Sequence, residues 1–204
     1  MDKVLSQLGG KICLFDGAMG TTLQAMGLQP GELPELWSLT HREDLVDIHR
    51  SYLQAGADFL KTNTFGANRF KLEGTGHSVE EVVSAGVRNA QQAVEEYGHG
   101  LVFLDIGPTG KLLRPLGELD FEDAVSVFGE IVHAGVMAGA DAILIETMSD
   151  IYEAKAALLA AKEYSDLPVF VTMTFDQDGK LLTGGSIEVA VAVLEGLGAD
   201  AIGF

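Results

Sequence analysis

The chain has 204 residues, 47% hydrophobic and 21% charged, enough for one domain with a sizeable core. Thirteen basic against thirty acidic side chains give a formal charge of −17, which argues against a face basic enough to hold nucleic acid or an anionic membrane. The single cysteine, Cys13, excludes a disulfide framework and a multi-cysteine metal site within these residues. No apolar run approaches the ~18 residues of a membrane span, the start MDKVLSQLGG lacks the apolar core of a signal peptide, and the expected compartment is cytoplasmic.

In chain order, a first strand-like run over 12–15 ends at Asp16 and enters Gly17-Ala18-Met19-Gly20. Thr40 and Glu43 have capping-box spacing, and Leu45, Ile48, Tyr52 and Leu53 then share one helix face. A second run, 58–62, leads into Asn63 and Thr64. Ser78 and Glu81 repeat the capping-box spacing before a helix with Val83, Val87, Ala90 and Val94 on one side. Runs over 101–105 and 142–146 flank a helix carrying Ala124, Val127, Phe128 and Ile131, with Asp120 as its expected N-cap. Asp150 is the expected N-cap of the next helix, and runs over 169–174 and 201–204 follow. His49 and His133 fall within helices and read as surface or packing residues. Asp176-Gln177-Asp178-Gly179 reads as a turn, and Ser186 as a helix N-cap.

A weak repeat punctuates this order. Gly56-Ala57-Asp58, Gly139-Ala140-Asp141 and Gly198-Ala199-Asp200 each follow a helical pattern and precede an apolar run. Glycine suits the left-handed end of a helix, so the same helix-to-strand joint is used three times. Short continuous apolar strands alternating with helices predict a parallel sheet covered on both faces, either doubly wound or closed as a (β/α)8 TIM barrel. The barrel is favoured. Polar residues gather where strands end, no strand–glycine-loop–helix unit fits a dinucleotide or phosphate fingerprint, and strands recur about every 30–45 residues, near the barrel repeat. About six β/α units then use residues 1–204, so an incomplete barrel is expected: the N-terminal part of one barrel domain, with no second domain, whose open edge invites self-association.

Five segments in order carry the chemistry: Phe15-Asp16-Gly17-Ala18-Met19-Gly20, Lys61-Thr62-Asn63-Thr64-Phe65-Gly66, Asp105-Ile106-Gly107-Pro108-Thr109-Gly110, Glu146-Thr147-Met148-Ser149-Asp150 and Met173-Thr174-Phe175-Asp176. This set resembles the homocysteine S-methyltransferase family, in particular the homocysteine-binding domains of its cobalamin-dependent, methionine-forming members. The resemblance implies a barrel that binds homocysteine, with Asp16 and Glu146 on the substrate ammonium, backbone amides at Gly17 and Ala18 on its carboxylate, and Thr62 in contact with the substrate. Asn63 and Asp105 are further rim residues, with no catalytic role assigned. The bland alternatives are a turn aspartate at Asp16, a helix-bonded carboxylate at Glu146, and a rigid Pro-Gly turn after Asp105.

The family also implies zinc, held by three cysteines that would lie beyond Phe204, so no metal ligand is expected here and Cys13 reads as a small core residue. In the intact enzyme a zinc-bound homocysteine thiolate would attack a methyl group. That methyl would sit on methylcobalamin and be resupplied by methyltetrahydrofolate, both bound by cobalamin and folate domains of the same parent protein. The isolated chain is expected to be inactive. Two rival readings remain: a methyltransferase using another donor such as S-methylmethionine or betaine, and a non-catalytic, self-associating barrel fragment.

Overall fold

In a computed structural model, residues 3–8 and 10–204 are described; the N-terminal reading at positions 1, 2 and 9 lies outside them. Short helices α1 (Leu5–Leu8) and α2 (Met19–Met26) precede a 3-10 turn (Pro34–Leu36) that runs into α3 (Trp37–Thr40). Then follow α4 (Arg42–Gln54), β1 (Phe59–Lys61), α5 (Val79–Tyr97), β2 (Leu101–Ile106), α6 (Phe121–Ala138), β3 (Ala142–Met148), α7 (Ile151–Tyr164), β4 (Val169–Met173), α8 (Ile187–Gly196) and β5 (Ala201–Gly203). All five strands pair in parallel in chain order, β1-β2-β3-β4-β5. That order belongs to a barrel wall; a doubly wound sheet would reverse direction at a switch point.

Strand alternation separates two layers. Leu60, Val102, Leu104, Ile143, Ile145, Val169 and Val171 face the helices in the larger core. Phe59, Phe103, Leu144 and Phe170 pack on the opposite, inner face. The Phe15 ring joins them edge-on, 5.2 Å from Phe59 and 4.9 Å from Phe103. The next inward positions along β1, β2 and β3 are Lys61, Asp105 and Glu146, so an aromatic floor lies directly below a charged layer.

The repeated joint has a use that spacing alone does not show. Gly56, Gly139 and Gly198 all take left-handed φ, 104°, 95° and 82°. The aspartate two residues later then clamps the preceding strand at two points. Asp141 N–H donates to Val102 O at 2.8 Å, and Asp141 Oδ2 accepts from Val102 N–H at 2.9 Å. Asp58 does the same with Leu14 (2.8 and 3.0 Å) and Asp200 with Val169 (2.8 and 2.8 Å). The clamps satisfy the N–H of Val169, first in β4, of Val102, second in β2, and of Leu14, ahead of β1, and fix register where a one-residue slip would exchange the two faces.

Several local expectations need correction. The run over 12–15 forms no strand: it meets β1 through the single bridge Phe15–Phe59. It pairs on one side only, and Ile12 is 87% exposed. Thr40 and Glu43 form no capping box. Thr40 closes α3, its hydroxyl donating back to Leu36 O at 3.2 Å, and His41 takes the N-cap position of α4. Asp120 occupies the N-cap of α6 without a side-chain cap bond, pairing instead with Arg114 at 3.2 Å. Ser186 caps α8 by position but also makes no side-chain cap bond. Ser78 and Glu81 do form the reciprocal capping box of α5, and Asp150 Oδ1 accepts from Tyr152 N–H at 2.8 Å. Asp176 Oδ1 accepts from the N–H groups of Asp178 and Lys180, closing the expected turn.

Candidate substrate site at the carboxyl ends of the strands

A cavity of about 390 Å³ opens at the carboxyl ends of β1, β2 and β3, the end at which barrels build their sites. Asp16, Gly17, Ala18, Thr62, Asn63, Asp105 and Glu146 all line it. Residues up to 130 positions apart in sequence thus converge on one space. Lys61, Glu35, Phe65 and Thr147 complete much of the wall. Larger grooves elsewhere lie between surface helices and lack these converging carboxylates.

Asp16 is buried. Its Oδ2 accepts from Lys61 N–H at 3.0 Å, whereas Oδ1 has no hydrogen-bond partner. Burial pushes its carboxyl up to about 7, against the pull of the Lys61 amide and ammonium. His49, wholly buried in α4, places Nδ1 4.0 Å from Asp16 Oδ2; neither ring nitrogen has a hydrogen-bond partner, and burial lowers the imidazole to about 4. Asp105 is likewise buried with Oδ1 unpartnered. Burial first, and Glu146 second, raise its carboxyl well above the usual range.

Glu146 is half-buried and already has a counter-ion: Lys61 Nζ lies 3.3 Å from Oε2 and 3.5 Å from Oε1. Burial works against the Lys61 charge, but Glu146, Asp105 and Asp16 outweigh it and hold the ammonium above its ordinary value. The local backbone re-aims Glu146. Ile145 pairs with Val171 and Met148 with Met173, so Glu146 and Thr147 oppose Thr172 alone, a bulge. Thr147 sits at φ 63°, rare for a β-branched residue, and its N–H donates to Thr172 Oγ1 at 3.1 Å.

The threonines form a closed set. Thr62 Oγ1 and Thr64 Oγ1 are 2.6 Å apart, Thr64 Oγ1 donates to Asp105 O at 2.7 Å, and Asp105 N–H donates to Thr62 Oγ1 at 3.0 Å. The Thr62 hydroxyl proton is therefore spent on Thr64, and one oxygen lone pair is left unused. Asn63 Nδ2 donates to Pro34 O at 2.7 Å and to Ser38 Oγ at 3.2 Å. Glu35 Oε1 accepts from Gly66 N–H at 2.6 Å. These bonds seat the 34–38 segment as a wall of the cavity. The loop after β2 is held as a rigid turn: buried Glu153 of α7 accepts from both Thr109 N–H (2.8 Å) and Thr109 Oγ1 (2.6 Å).

Gly17 is required by a close approach, since a Cβ there would lie 2.8 Å from the Tyr52 ring, whose hydroxyl donates to Ala18 O at 3.0 Å. Tyr52 thereby presses the turn against α4 and aims the start of α2 at the cavity. Alanine at the N-cap gives α2 no side-chain cap, so its first-turn N–H groups remain available to an anion.

The arrangement suits a small zwitterion: buried carboxylate oxygens for a cation, and free amides with one ammonium for an anion. It does not suit a metal. Among the described residues no three His, Cys, Asp or Glu side chains converge as ligands. Cys13 is half-buried against the inner core, with Sγ 3.7 Å from Gln7 O. Nor is any described helix long and apolar enough to cross a membrane.

Sequence reasoning missed Lys61, His49 and Thr147. His49 lies four residues from both Leu45 and Leu53, inside an apolar stripe, which was a usable signal. Lys61 lies two residues after inward-facing Phe59, which was another. Nothing in the sequence marks the positive φ of Thr147.

Known proteins resemble this chain in sequence and in fold. The sequence profile of the homocysteine S-methyltransferase family matches residues 13–204. The methionine synthase of Mycobacterium tuberculosis is 32% identical over 98% of the chain, which spans only 18% of that protein. The chain superposes on the homocysteine methyltransferase MmuM of Escherichia coli. Its oxidized form gives a TM-score of 0.87 at 24% identity, covering 99% of this chain and 76% of that one. Its metallated form gives 0.84 at 25% identity, covering 97% and 75%. With the strand order, the placement of the cavity and a profile match that takes in every wall residue named above, the chain belongs to the homocysteine S-methyltransferase family.

Proposed function

We propose that the cavity binds the amino-acid end of homocysteine, the methyl acceptor of a methionine-forming methyltransferase. The observation that carries this reading is the pair of buried, unpartnered carboxylate oxygens, Asp16 Oδ1 and Asp105 Oδ1, on two residues that line one small cavity. Leaving a buried acceptor unpaired costs about 1–3 kcal/mol, a cost that a bound ammonium removes. Asp16 and Glu146 take the ammonium, with Asp105 behind them and the free lone pair of Thr62 as a further acceptor. The Gly17-Ala18 turn and the start of α2 offer N–H groups to the carboxylate. Fixing both ends of the zwitterion sets the direction of the thiol-bearing arm, the positioning share of catalysis; Asn63 contributes by holding the 34–38 wall.

The methyl group would come from methylcobalamin, recharged by methyltetrahydrofolate on cobalamin and folate domains of a longer cytoplasmic protein, for which the relation to methionine synthase speaks. By resemblance, the Asp16-Gly17-Ala18-Met19-Gly20 and Gly107-Pro108-Thr109-Gly110 segments lean toward this donor over S-methylmethionine or betaine. Residues 1–204 would supply the amino-acid-recognition part of a homocysteine-binding barrel.

Calorimetric titration of L-homocysteine into the chain tests the reading. Binding should weaken by at least about tenfold in Asp16→Asn and in Glu146→Gln, the loss of one charge-assisted hydrogen bond. Wild-type affinity in both variants would refute it.

A further inference from the structure

Four carboxylates line the cavity; Glu35 holds Gly66 N–H, which leaves Asp16, Asp105 and Glu146, yet the proposed ligand carries a carboxylate of its own. Any of these acids that ionises without a counter-charge would attract an amine and repel the anionic end of an amino acid. Among the described residues lining the cavity, Lys61 is the one lysine or arginine. Its ammonium is 3.3 Å from Glu146 Oε2, longer than the 2.7–2.9 Å of a tight charge-assisted bond. The Lys61 side chain is 24% exposed, and its ammonium carries three donors with Glu146 as the acceptor they meet. Its backbone N–H, meanwhile, holds Asp16 Oδ2. One residue thus touches both acids assigned to the ammonium and presents a cation beside them.

Resting on the homocysteine reading above, we propose that Lys61 is a specificity-determining residue: its ammonium receives the α-carboxylate of the substrate and makes the site select α-amino acids over simple amines. Glu146 steadies that ammonium in the empty cavity and remains beside it when ligand enters. The result is an alternating arrangement, acid to ligand ammonium and ligand carboxylate to lysine, in which every charge has an opposite neighbour. The amides at the start of α2 share the carboxylate, but a helix end offers only about half a positive charge, against the full charge of the Lys61 ammonium.

The test is competitive titration of two probes, L-homocysteine and aminopropanethiol, the same thiol amine without its carboxylate. Wild type, Lys61→Met and Lys61→Arg are compared. The wild-type chain should prefer homocysteine. Lys61→Met should weaken homocysteine by about ten- to a hundredfold, as for a lost hydrogen bond to a charged group. It should leave aminopropanethiol as tight or tighter, which also reports that the variant is folded. Lys61→Arg, retaining charge with different reach, should recover part of the preference. Equal weakening of both probes in Lys61→Met, or a preference unchanged from wild type, overturns the role of Lys61 while leaving the homocysteine reading in place. Tighter homocysteine binding in Lys61→Met overturns it too, making Lys61 a competitor for Glu146. A wild-type chain that binds neither probe overturns the homocysteine reading, and this inference with it.

Discussion

Replacing Asp16 by asparagine should make the protein more stable at neutral pH while depriving it of ligand. Burial raises the Asp16 carboxyl from 3.8 to about 7, so the folded chain favours the protonated acid. Its contribution to stability is full below about pH 4 and is lost as the pH rises through 7. The lost amount is about 4 kcal/mol. An asparagine never ionises, and its Oδ1 can still accept from Lys61 N–H as Asp16 Oδ2 does. Its buried amide N–H groups offset about 1–2 kcal/mol, which leaves a gain of about 2–3 kcal/mol at pH 8. With a urea dependence of about 2–3 kcal/mol per molar, the unfolding midpoint should rise by about 1 M. Urea titrations of both proteins from pH 4 to 8 would show the gap closing as the pH falls and reversing near pH 4, where the amide cost of about 1–2 kcal/mol remains. A variant no more stable than wild type at pH 8, or a gap that fails to close toward pH 4, would refute the burial argument.

Other variants probe the frame around the site. His49 is buried and neutral, its imidazole lowered to about 4 by burial. Its contribution is therefore present above pH 6.5 and is lost as the pH falls from 6.5 to 4, by up to about 3 kcal/mol. His49→Asn should remove that slope from stability measured by urea titration, and an unchanged acid slope would contradict it. Asp141→Ala strands the buried Val102 N–H and should cost about 1–3 kcal/mol in thermal or urea unfolding, whereas Asp141→Asn keeps an acceptor and should cost less. Gly135→Ala would put a Cβ 2.4 Å from Leu104 Cδ2 in the core, so crowding of about 1–3 kcal/mol should outweigh the helix-propensity gain of about 1 kcal/mol. Gly129→Ala meets only the half-exposed Tyr164 ring, which can move, and should be neutral or stabilising. Calorimetric melting temperatures order the two alanine variants.

What the sequence makes legible follows the physics of each element. Runs such as 142–146 and 169–174 read as strands because both faces of a barrel wall are buried, leaving continuous apolar residues. The run over 12–15 looks the same, yet with one neighbour it forms a single bridge; pairing belongs to the partner strand as much as to the sequence. The Gly-Ala-Asp repeat reads as a joint from glycine alone, but the clamp made by its aspartate depends on a residue of the preceding strand, between 31 and 44 positions away. At the site, Asp16 and Glu146 were identifiable as costly acids at strand ends. The ion pair between Lys61 and Glu146 was not, because it spans 85 residues and follows from inward alternation on two strands at once. Thr62 was expected as a substrate contact, but its hydroxyl proton is committed to Thr64, a direction set by the bonds both threonines make to Asp105 of β2.

Under the proposed function, Asp16 is an acid held ready, at a cost in stability, for a cationic ligand. Carbon-13 NMR titration of the Asp16 side-chain carboxyl, with and without saturating L-homocysteine, measures this most directly. The free chain should titrate near 7. The bound chain should titrate at least about one pH unit lower, because a neighbouring ammonium favours the ionised acid. Homocysteine affinity should correspondingly fall as the pH drops below 7. A carboxyl that titrates at the same pH with and without ligand would contradict it.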